Sequence, residues 1–124
     1  MALTVLIVDD SALIRRSVTT LLDIEGFNVE IADDGDTALA KLKGGLKPDL
    51  MITDINMPNM NGVELIKHTR TLPAFRFMPI LVMTTESQQT MRDEAKKLGA
   101  TGWVLKPVGG ELLLSIIKKI LPGA

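Results

Sequence analysis

The chain has 124 residues, 46% of them hydrophobic, and its 14 lysines and arginines stand against 15 aspartates and glutamates. This length suffices for one domain with a hydrophobic core and is too short for two ordinary ones, so we expect a single domain over residues 1–124. The net charge of −1 gives no basic excess to hold a nucleic-acid backbone, and the absence of cysteine excludes disulfides and thiolate metal sites.

The first predicted element is a strand at Thr4–Val8, within the apolar run LTVLIV. This run is far too short to span a bilayer, and neither a basic leader nor a cleavage site accompanies it. We therefore expect a cytoplasmic protein that does not associate with membranes.

Apolar runs of strand length alternate with segments of helical periodicity along the whole chain. After the first strand, four more are predicted, at Val29–Ala32, Leu50–Thr53, Ile80–Thr84 and Trp103–Leu105. The first, third and fourth strands are almost continuously apolar, which is typical of strands covered on both faces.

The segments between the strands each carry one apolar stripe at helical spacing. The stripe of the first helix is Ile14, Val18, Leu21 and Leu22, and that of the last is Leu112, Ile116, Ile117 and Ile120. Ser11 is the predicted N-cap of the first helix. Glycines mark helix ends and prolines introduce strands, at Gly26, Gly44, Gly99, Pro48 and Pro79.

Five repeats of strand and helix predict an α/β fold with a five-stranded parallel sheet and helices on both faces, because parallel neighbours need crossover connections. Periodicity alone leaves the strand order open. Sheets of this kind bind their ligands in the crevice beyond the carboxyl ends of the strands. The residues that follow each strand are therefore the candidates for a functional site.

Charged and polar residues follow the strands at this edge. Asp9 and Asp10 follow the first strand, Asp54 the third, Thr84 ends the fourth and Lys106 follows the fifth. Two like charges about 4 Å apart repel by about 4 kcal/mol at an effective dielectric constant of 20. Three aspartates therefore need positive partners, of which Lys106 is one.

A divalent cation with a preference for oxygen supplies the remaining charge, and Mg²⁺ typically takes one or two carboxylates while keeping positions for water and phosphate oxygens. Taken alone, the pair Asp9 and Asp10 is better explained as an acidic cap of the next helix. Its convergence with Asp54, Thr84 and Lys106 favours a magnesium site instead.

The second strand is followed by Asp33 and Asp34, within ADDGDTAL. This acidic segment lacks the spacing and the closing Glu of a calcium loop, and it predicts a turn and a helix start. The single histidine, His68, is predicted to be an ordinary surface residue.

A metal, a free carboxylate, a hydroxyl and an ammonium together can bind a tetrahedral anion. Asp54 is then the candidate nucleophile toward phosphorus, and Thr84 and Lys106 offset charge on the phosphoryl oxygens. Phosphatases of the haloacid dehalogenase type carry a second Asp two residues after the nucleophile, where this chain has Asn56. Because an amide cannot accept a proton from water, phosphorylated Asp54 is expected to persist.

Four motifs carry these residues in order along the chain: LIVDDS, ITDINMPNMNG, LVMTTES and GATGWVLKP. Together they resemble the receiver domains of two-component response regulators, in particular the stand-alone chemotaxis (CheY-like) branch. The resemblance covers the whole chain. It implies a flavodoxin-like (βα)5 fold with strand order 2-1-3-4-5.

The resemblance also implies a role for each matching residue. Asp54 is implied to be the phosphoacceptor, and Mg²⁺ is implied to bind Asp10, Asp54 and the backbone carbonyl of Asn56, with Asp9 acting through water. Lys106 is implied to pair with Asp54 and then with the phosphoryl group. Its bond to Pro107 is implied to be cis.

Thr84 and Trp103 match the switch pair of the family. The resemblance implies that phosphorylation draws the Thr84 hydroxyl toward the phosphoryl oxygens and frees space into which the aromatic side chain turns. The chain departs from the family at two positions, with Trp103 where Tyr or Phe is commoner and Val108 where many relatives carry Phe. Indole is larger and has an N–H that needs a partner when buried.

The resemblance predicts a monomeric, phosphorylation-dependent switch rather than an enzyme, one that catalyses only its own phosphorylation and slow dephosphorylation. Its predicted partners are a CheA-like sensor histidine kinase, the flagellar motor switch and a phosphatase. A phosphorelay intermediate or phosphate sink stays open within the family. Outside it, an aspartyl-phosphate phosphatase would need a base near Asp54, and a flavin carrier would need a phosphate-binding loop after the first strand, where this chain has two carboxylates.

Overall fold

A computed structural model describes residues 2–124 and contains five strands, five α-helices and one short 3₁₀ turn at Pro73–Phe75. The strands are β1 (Thr4–Val8), β2 (Asn28–Ala32), β3 (Leu50–Thr53), β4 (Ile80–Thr84) and β5 (Gly102–Leu105). The helices are α1 (Ala12–Ile24), α2 (Gly35–Lys43), α3 (Gly62–Thr71), α4 (Gln89–Leu98) and α5 (Gly110–Ile120).

All neighbouring strands are parallel, in the order β2-β1-β3-β4-β5. This α/β architecture and this order confirm the predicted fold. β1, β3 and β4 have the predicted bounds, whereas β2 and β5 each begin one residue earlier. β1 and β3 lie in the centre of the sheet, so their carboxyl ends are side by side.

Alternating side chains of the central strands fill two separate cores, one on each face of the sheet. Leu6 and Val8 of β1 pack under α2, α3 and α4, whereas Val5 and Ile7 pack under α1 and α5. All four are at most 1% exposed. Coverage on both faces explains why β1, β3 and β4 are continuously apolar in sequence.

The stripe predicted for α5 is partly wrong. Leu112 is 54% exposed, whereas Leu113 is 2% exposed and packs with Ile117 in the core under α1 and α5. Three consecutive leucines begin this helix, at positions 112–114, so helical periodicity fits more than one choice of stripe. Contact with the sheet decides which leucine is buried.

Side-chain caps fix the starts of α1 and α2 next to the carboxyl edge of the sheet. The Ser11 hydroxyl accepts a hydrogen bond from the Ile14 amide at 3.3 Å, which confirms the predicted cap of α1. Asp34 caps α2 by accepting from the Thr37 amide at 2.7 Å, so ADDGDTAL is a turn and helix start as predicted. Across residues 2–124, no helix combines the length and the apolar character needed to span a membrane.

Candidate functional site

The hydrogen-bond ladder of the sheet continues one residue beyond the strands and places the candidate residues at one edge. The Asp54 amide donates to the Val8 carbonyl at 2.9 Å, and the Asp9 amide donates to the Ala32 carbonyl at 3.1 Å. The Lys106 amide likewise donates to the Thr84 carbonyl at 2.8 Å. Asp9, Asp54 and Lys106 are therefore each held by a strand next to their own.

Lys106 lies between two aspartates and joins them. Its Nζ is 2.7 Å from Oδ2 of Asp9 and 2.8 Å from Oδ2 of Asp54. The second oxygen of each carboxylate accepts a backbone hydrogen bond, from the Ser11 amide to Asp9 at 2.9 Å and from the Ile55 amide to Asp54 at 2.6 Å. Both carboxylates are thus held in fixed orientations.

Three carboxylates converge at this edge. Asp9, Asp10 and Asp54 each offer an oxygen within 4.8 Å of the other two, and residues 2–124 contain no other such group of three. Asp9 and Asp54 are 1% and 8% exposed, whereas Asp10 is exposed. The three negative charges and the one positive charge of Lys106 leave the cluster at −2, the charge that one divalent cation balances.

The donor set fits Mg²⁺. Carboxylate oxygens are hard ligands of the kind this ion prefers, and Mg²⁺ keeps water in positions the protein does not fill. Asp10 is open to solvent beside the two buried acids, so an ion can reach the cluster. Asn56, whose carbonyl is the further ligand that the resemblance implies, is an exposed residue of the loop that follows Asp54.

The environment of Lys106 keeps its side chain charged. Burial of the ammonium disfavours the charge, but hydrogen bonds and Coulombic attraction to Asp54 and Asp9 outweigh burial and hold the pKa of Lys106 above its usual value. The bond from Lys106 to Pro107 is cis, as the resemblance implied.

Thr84 and Trp103, the predicted switch pair, lie on neighbouring strands. Thr84 is fully buried at the end of β4, and its hydroxyl accepts a hydrogen bond from the Glu86 amide at 3.1 Å. Trp103 is half-buried in β5, opposite Val82, and packs against the core under α2, α3 and α4. The indole also borders a cavity of about 180 Å³ that Arg92 lines from α4.

Sequence reasoning missed two contacts that support the site. The Arg15 guanidinium donates to the Asp9 carbonyl at 2.6 Å, and the Lys106 ammonium contacts Asp9 as closely as it contacts Asp54. These contacts depend on helix and loop geometry and have no signature in the spacing of residues. Asp33 is exposed and Asp34 caps α2, so neither belongs to the carboxylate group.

Comparison with known proteins agrees with this architecture. A family model described as response regulator receiver domain matches residues 5–118. The chain is 39% identical over 117 residues to a chemotaxis protein CheY of Pseudomonas aeruginosa, covering 94% of both proteins. It is 40% identical to a chemotaxis protein CheY-3 of Vibrio cholerae, covering 94% of the chain and 89% of the relative.

Solved structures give the same result. The chemotaxis response regulator CheY4 of Vibrio cholerae superposes with a TM-score of 0.92 at 42% identity, covering 98% of this chain and all of that one. A CheY-like receiver domain protein of Methanospirillum hungatei has a TM-score of 0.90 at 31% identity, covering 96% and 93% of the two chains.

Proposed function

The chain belongs to the response regulator receiver family, and from that premise we propose that it accepts a phosphoryl group on Asp54 and thereby changes the surface it presents to a partner. Membership makes the chain a phosphorylation-dependent signalling domain with a kinase upstream and a target downstream. The proposal specifies the residue that accepts the phosphoryl group, the residues that assist the transfer and the surface that the partner binds.

The match to the receiver family selects Asp54 as the proposed acceptor, and one observation of the structure supports that assignment. It is a buried carboxylate in direct contact with a cation, Lys106, and adjacent to two further acids at the carboxyl edge of a central strand. An ordinary buried ion pair has no use for two additional negative charges, because they raise the cost of burial. A site that binds a divalent cation and a phosphoryl group uses all four residues.

Asp10, Asp54 and the carbonyl of Asn56 are the proposed magnesium ligands, with Asp9 acting through water. When bound, Mg²⁺ offsets the charge of the phosphoryl oxygens and of the three aspartates. The cluster charge of −2 supports this proposal, and so does the exposure of Asp10 beside two buried acids.

The chain's own residues orient the acceptor and stabilise the transferred group. The Ile55 amide and the Lys106 ammonium each hold one oxygen of Asp54, which fixes the plane of the nucleophile before it attacks phosphorus. Lys106 then shifts its hydrogen bond from the carboxylate to a phosphoryl oxygen. Thr84 exchanges its bond with the Glu86 amide for a bond from its own hydroxyl to the phosphoryl group.

Asn56 distinguishes this switch from a phosphatase. The residue two positions after Asp54 has no acid or base function, so hydrolysis of the aspartyl phosphate lacks a general base there. A phosphatase would release phosphate from a phosphomonoester in steady multiple turnovers. We expect a single labelling event instead.

The proposed readout face surrounds Trp103 and continues onto α5. Exposed Arg92 and Lys96 line the cavity beside the indole, and Leu105 and Leu112 are 48% and 54% exposed. This combination of positive charge and apolar surface suits an acidic, partly apolar partner segment. Displacement of Thr84 toward the phosphoryl group would let Trp103 move inward and reshape the face.

We place the protein in the cytoplasm as a monomer, phosphorylated by a CheA-like histidine kinase, read by the flagellar motor switch and reset by a phosphatase. The chemotaxis proteins among its relatives support this assignment. A phosphorelay intermediate or a phosphate sink would use the same acceptor with a different partner.

Transfer from a kinase tests the proposal. A chemotaxis-type histidine kinase carrying radiolabelled phosphate should lose its label to the wild-type chain and keep it in the presence of Asp54→Asn. In a parallel pull-down, the chain treated with a phosphoryl mimic should retain the motor switch protein more strongly than the untreated chain. Equal transfer to both variants would refute Asp54 as acceptor, and retention of a second kinase or phosphotransfer protein instead would favour the relay role.

A further inference from the structure

The loop that carries Asn56 is closed at its base by a glycine. The Gly62 amide donates to the Ile55 carbonyl at 2.9 Å, and a Cβ at position 62 would lie only 2.0 Å from the Asp54 carbonyl oxygen. No side chain fits at that distance. The start of α3 is therefore pressed against the backbone of Asp54, and residues 55–61 form a tight loop that begins directly after this aspartate.

The far side of this loop is attached to the turn between β2 and α2. The Asn59 amide group donates to Oδ2 of Asp34 at 2.7 Å, and the Gly35 amide donates to the Met60 carbonyl at 3.3 Å. A Cβ at position 35 would lie 2.6 Å from that carbonyl, so the approach requires glycine. We call these two hydrogen bonds the loop clasp.

Asn59 adopts a backbone conformation suited to the clasp. Its φ of 67° makes it the only residue other than glycine with positive φ among residues 2–124. Asparagine tolerates this left-handed region better than most residues, but glycine tolerates it best. The side-chain amide that reaches Asp34 explains why asparagine rather than glycine suits the position.

We propose that Asp34 and Asn59 are positioning residues, which hold the loop so that the carbonyl of Asn56 reaches the metal bound by the acid cluster. This inference rests on the proposed magnesium site. Asn56 lies between the closed base of the loop and the clasp, so both ends of its segment are fixed by contacts that involve no metal ligand side chain. Groups that orient a ligand contribute strongly to metal affinity without touching the metal.

A purely structural role for Asp34 is the competing explanation, because Asp34 is also the N-cap of α2. The two roles use different oxygens, Oδ1 for the Thr37 amide and Oδ2 for Asn59. Asp34→Ser keeps a capping hydroxyl but is too short to reach Asn59. Asn59→Gly keeps the left-handed conformation, the cap and every charge, and deletes the amide alone.

The test is calorimetric titration of the full chain with Mg²⁺ alone. Because loss of groups that orient metal ligands typically weakens binding by 10-fold or more, we expect about tenfold weaker affinity in Asn59→Gly and in Asp34→Ser. The double variant should be no weaker than the weaker single variant, because both remove one hydrogen bond. With acetyl phosphate, saturating Mg²⁺ should restore the labelling rate of Asn59→Gly to that of wild type.

Gln89→Ala is the matched control, since it also removes an amide-to-carboxylate bond of 2.7 Å, to Asp93 on exposed α4, and should leave affinity unchanged. Wild-type affinity in folded Asn59→Gly would overturn the clasp and leave the magnesium site standing. If only Asp34→Ser binds Mg²⁺ more weakly, the effect comes from the lost negative charge of Asp34, and the clasp is overturned as well. No binding to wild type would overturn the clasp and the magnesium site together.

Discussion

Two cations, Arg70 and Lys106, lie at opposite ends of the sheet with very different partners. Arg70, where β4 and β5 begin, donates to neutral main-chain carbonyls, whereas Lys106, where β5 ends, contacts the carboxylates of Asp9 and Asp54. Burial accordingly lowers the pKa of Arg70, and the carboxylates raise that of Lys106. The partners of Arg70 are therefore uncharged, whereas the three aspartates beside Lys106 have two more negative charges than it balances.

This difference separates a structural end of the domain from a functional one. Arg70 ties together the turn after α3, the entry to β4 and the end of α4, through the carbonyls of Phe75, Met78 and Gly99. Its bonds are satisfied without a ligand. The acid cluster has two more negative charges than Lys106 balances, so we expect the proposed divalent cation to stabilise that end.

Loss of Arg70 should be the largest effect on stability. Arg70→Leu leaves three carbonyls without their donor, and we expect the free energy of unfolding to fall by about 4 kcal/mol. Denaturant unfolding measures this change. The affinity for Mg²⁺ measured below the unfolding transition should stay at the wild-type value, and a large loss of affinity would contradict the separation of the two ends.

Loss of Lys106 should lower the free energy of unfolding slightly less than loss of Arg70, and the size of this effect should depend on Mg²⁺. Lys106→Met leaves Asp9 and Asp54 buried without a cation, and we expect destabilisation by about 3 kcal/mol in the absence of Mg²⁺. Because the proposed Mg²⁺ would supply positive charge to the same carboxylates, its addition should reduce the stability difference between Lys106→Met and wild type. If the stability difference does not change with Mg²⁺, Lys106 and the metal do not neutralise the same carboxylates.

The contribution of Lys106 to the stability of the fold should also depend on pH. Folding raises the pKa of Lys106, so its contribution is complete below the ordinary value of 10.5 and is lost as the pH rises through the raised pKa. The stability difference between wild type and Lys106→Met should therefore be constant from neutral pH to pH 10 and should shrink above it. Because the free energy of unfolding of the variant is subtracted from that of wild type at each pH, the titration of the other lysines cancels. A stability difference that persists at high pH would contradict the ion pairs of Lys106 with Asp9 and Asp54.

Asp10→Asn should give the smallest effect, with the opposite sign. Removing one exposed negative charge whose oxygen lies within 4.8 Å of two other carboxylates relieves two repulsions of about 1 kcal/mol each in water, so the metal-free protein should be slightly more stable. Mg²⁺ should then stabilise the variant less than it stabilises wild type, because a proposed ligand is lost. Thermal unfolding with and without Mg²⁺ measures both the stability of the metal-free variant and its stabilisation by the metal. A metal-free variant that is less stable than wild type would contradict an excess of negative charge at the acid cluster.

Most of the fold could be predicted because the strands carry a clear apolar signal and turn residues separate them. The bounds of β1, β3 and β4 could be predicted from apolar runs, which stop before Asp9, before Asp54 and at Thr84. The strand order came from the family resemblance, since periodicity contains no information on which strands are neighbours. The choice of Leu113 over Leu112 in α5 depends on contact with the sheet and could not be read from the period.

The candidate site could be predicted as a set of residues but not as a set of contacts. Strand ends identified Asp9, Asp54 and Lys106, because parallel strands bring such residues to one edge. The sequence could not show that Asp9 is buried and Asp10 exposed, since neighbouring aspartates are alike until the chain folds. The clasp between Asp34 and a residue 25 positions later likewise depends on how two loops meet.

Incubation with acetyl phosphate, followed by mass spectrometry of the intact protein, tests the central claim most directly. Wild type should gain the mass of one phosphoryl group when Mg²⁺ is present and none when it is chelated, and Asp54→Asn should gain none in either condition. Labelling of Asp54→Asn to the wild-type extent, or labelling of wild type that is indifferent to Mg²⁺, would contradict a metal-assisted acceptor at this edge of the sheet.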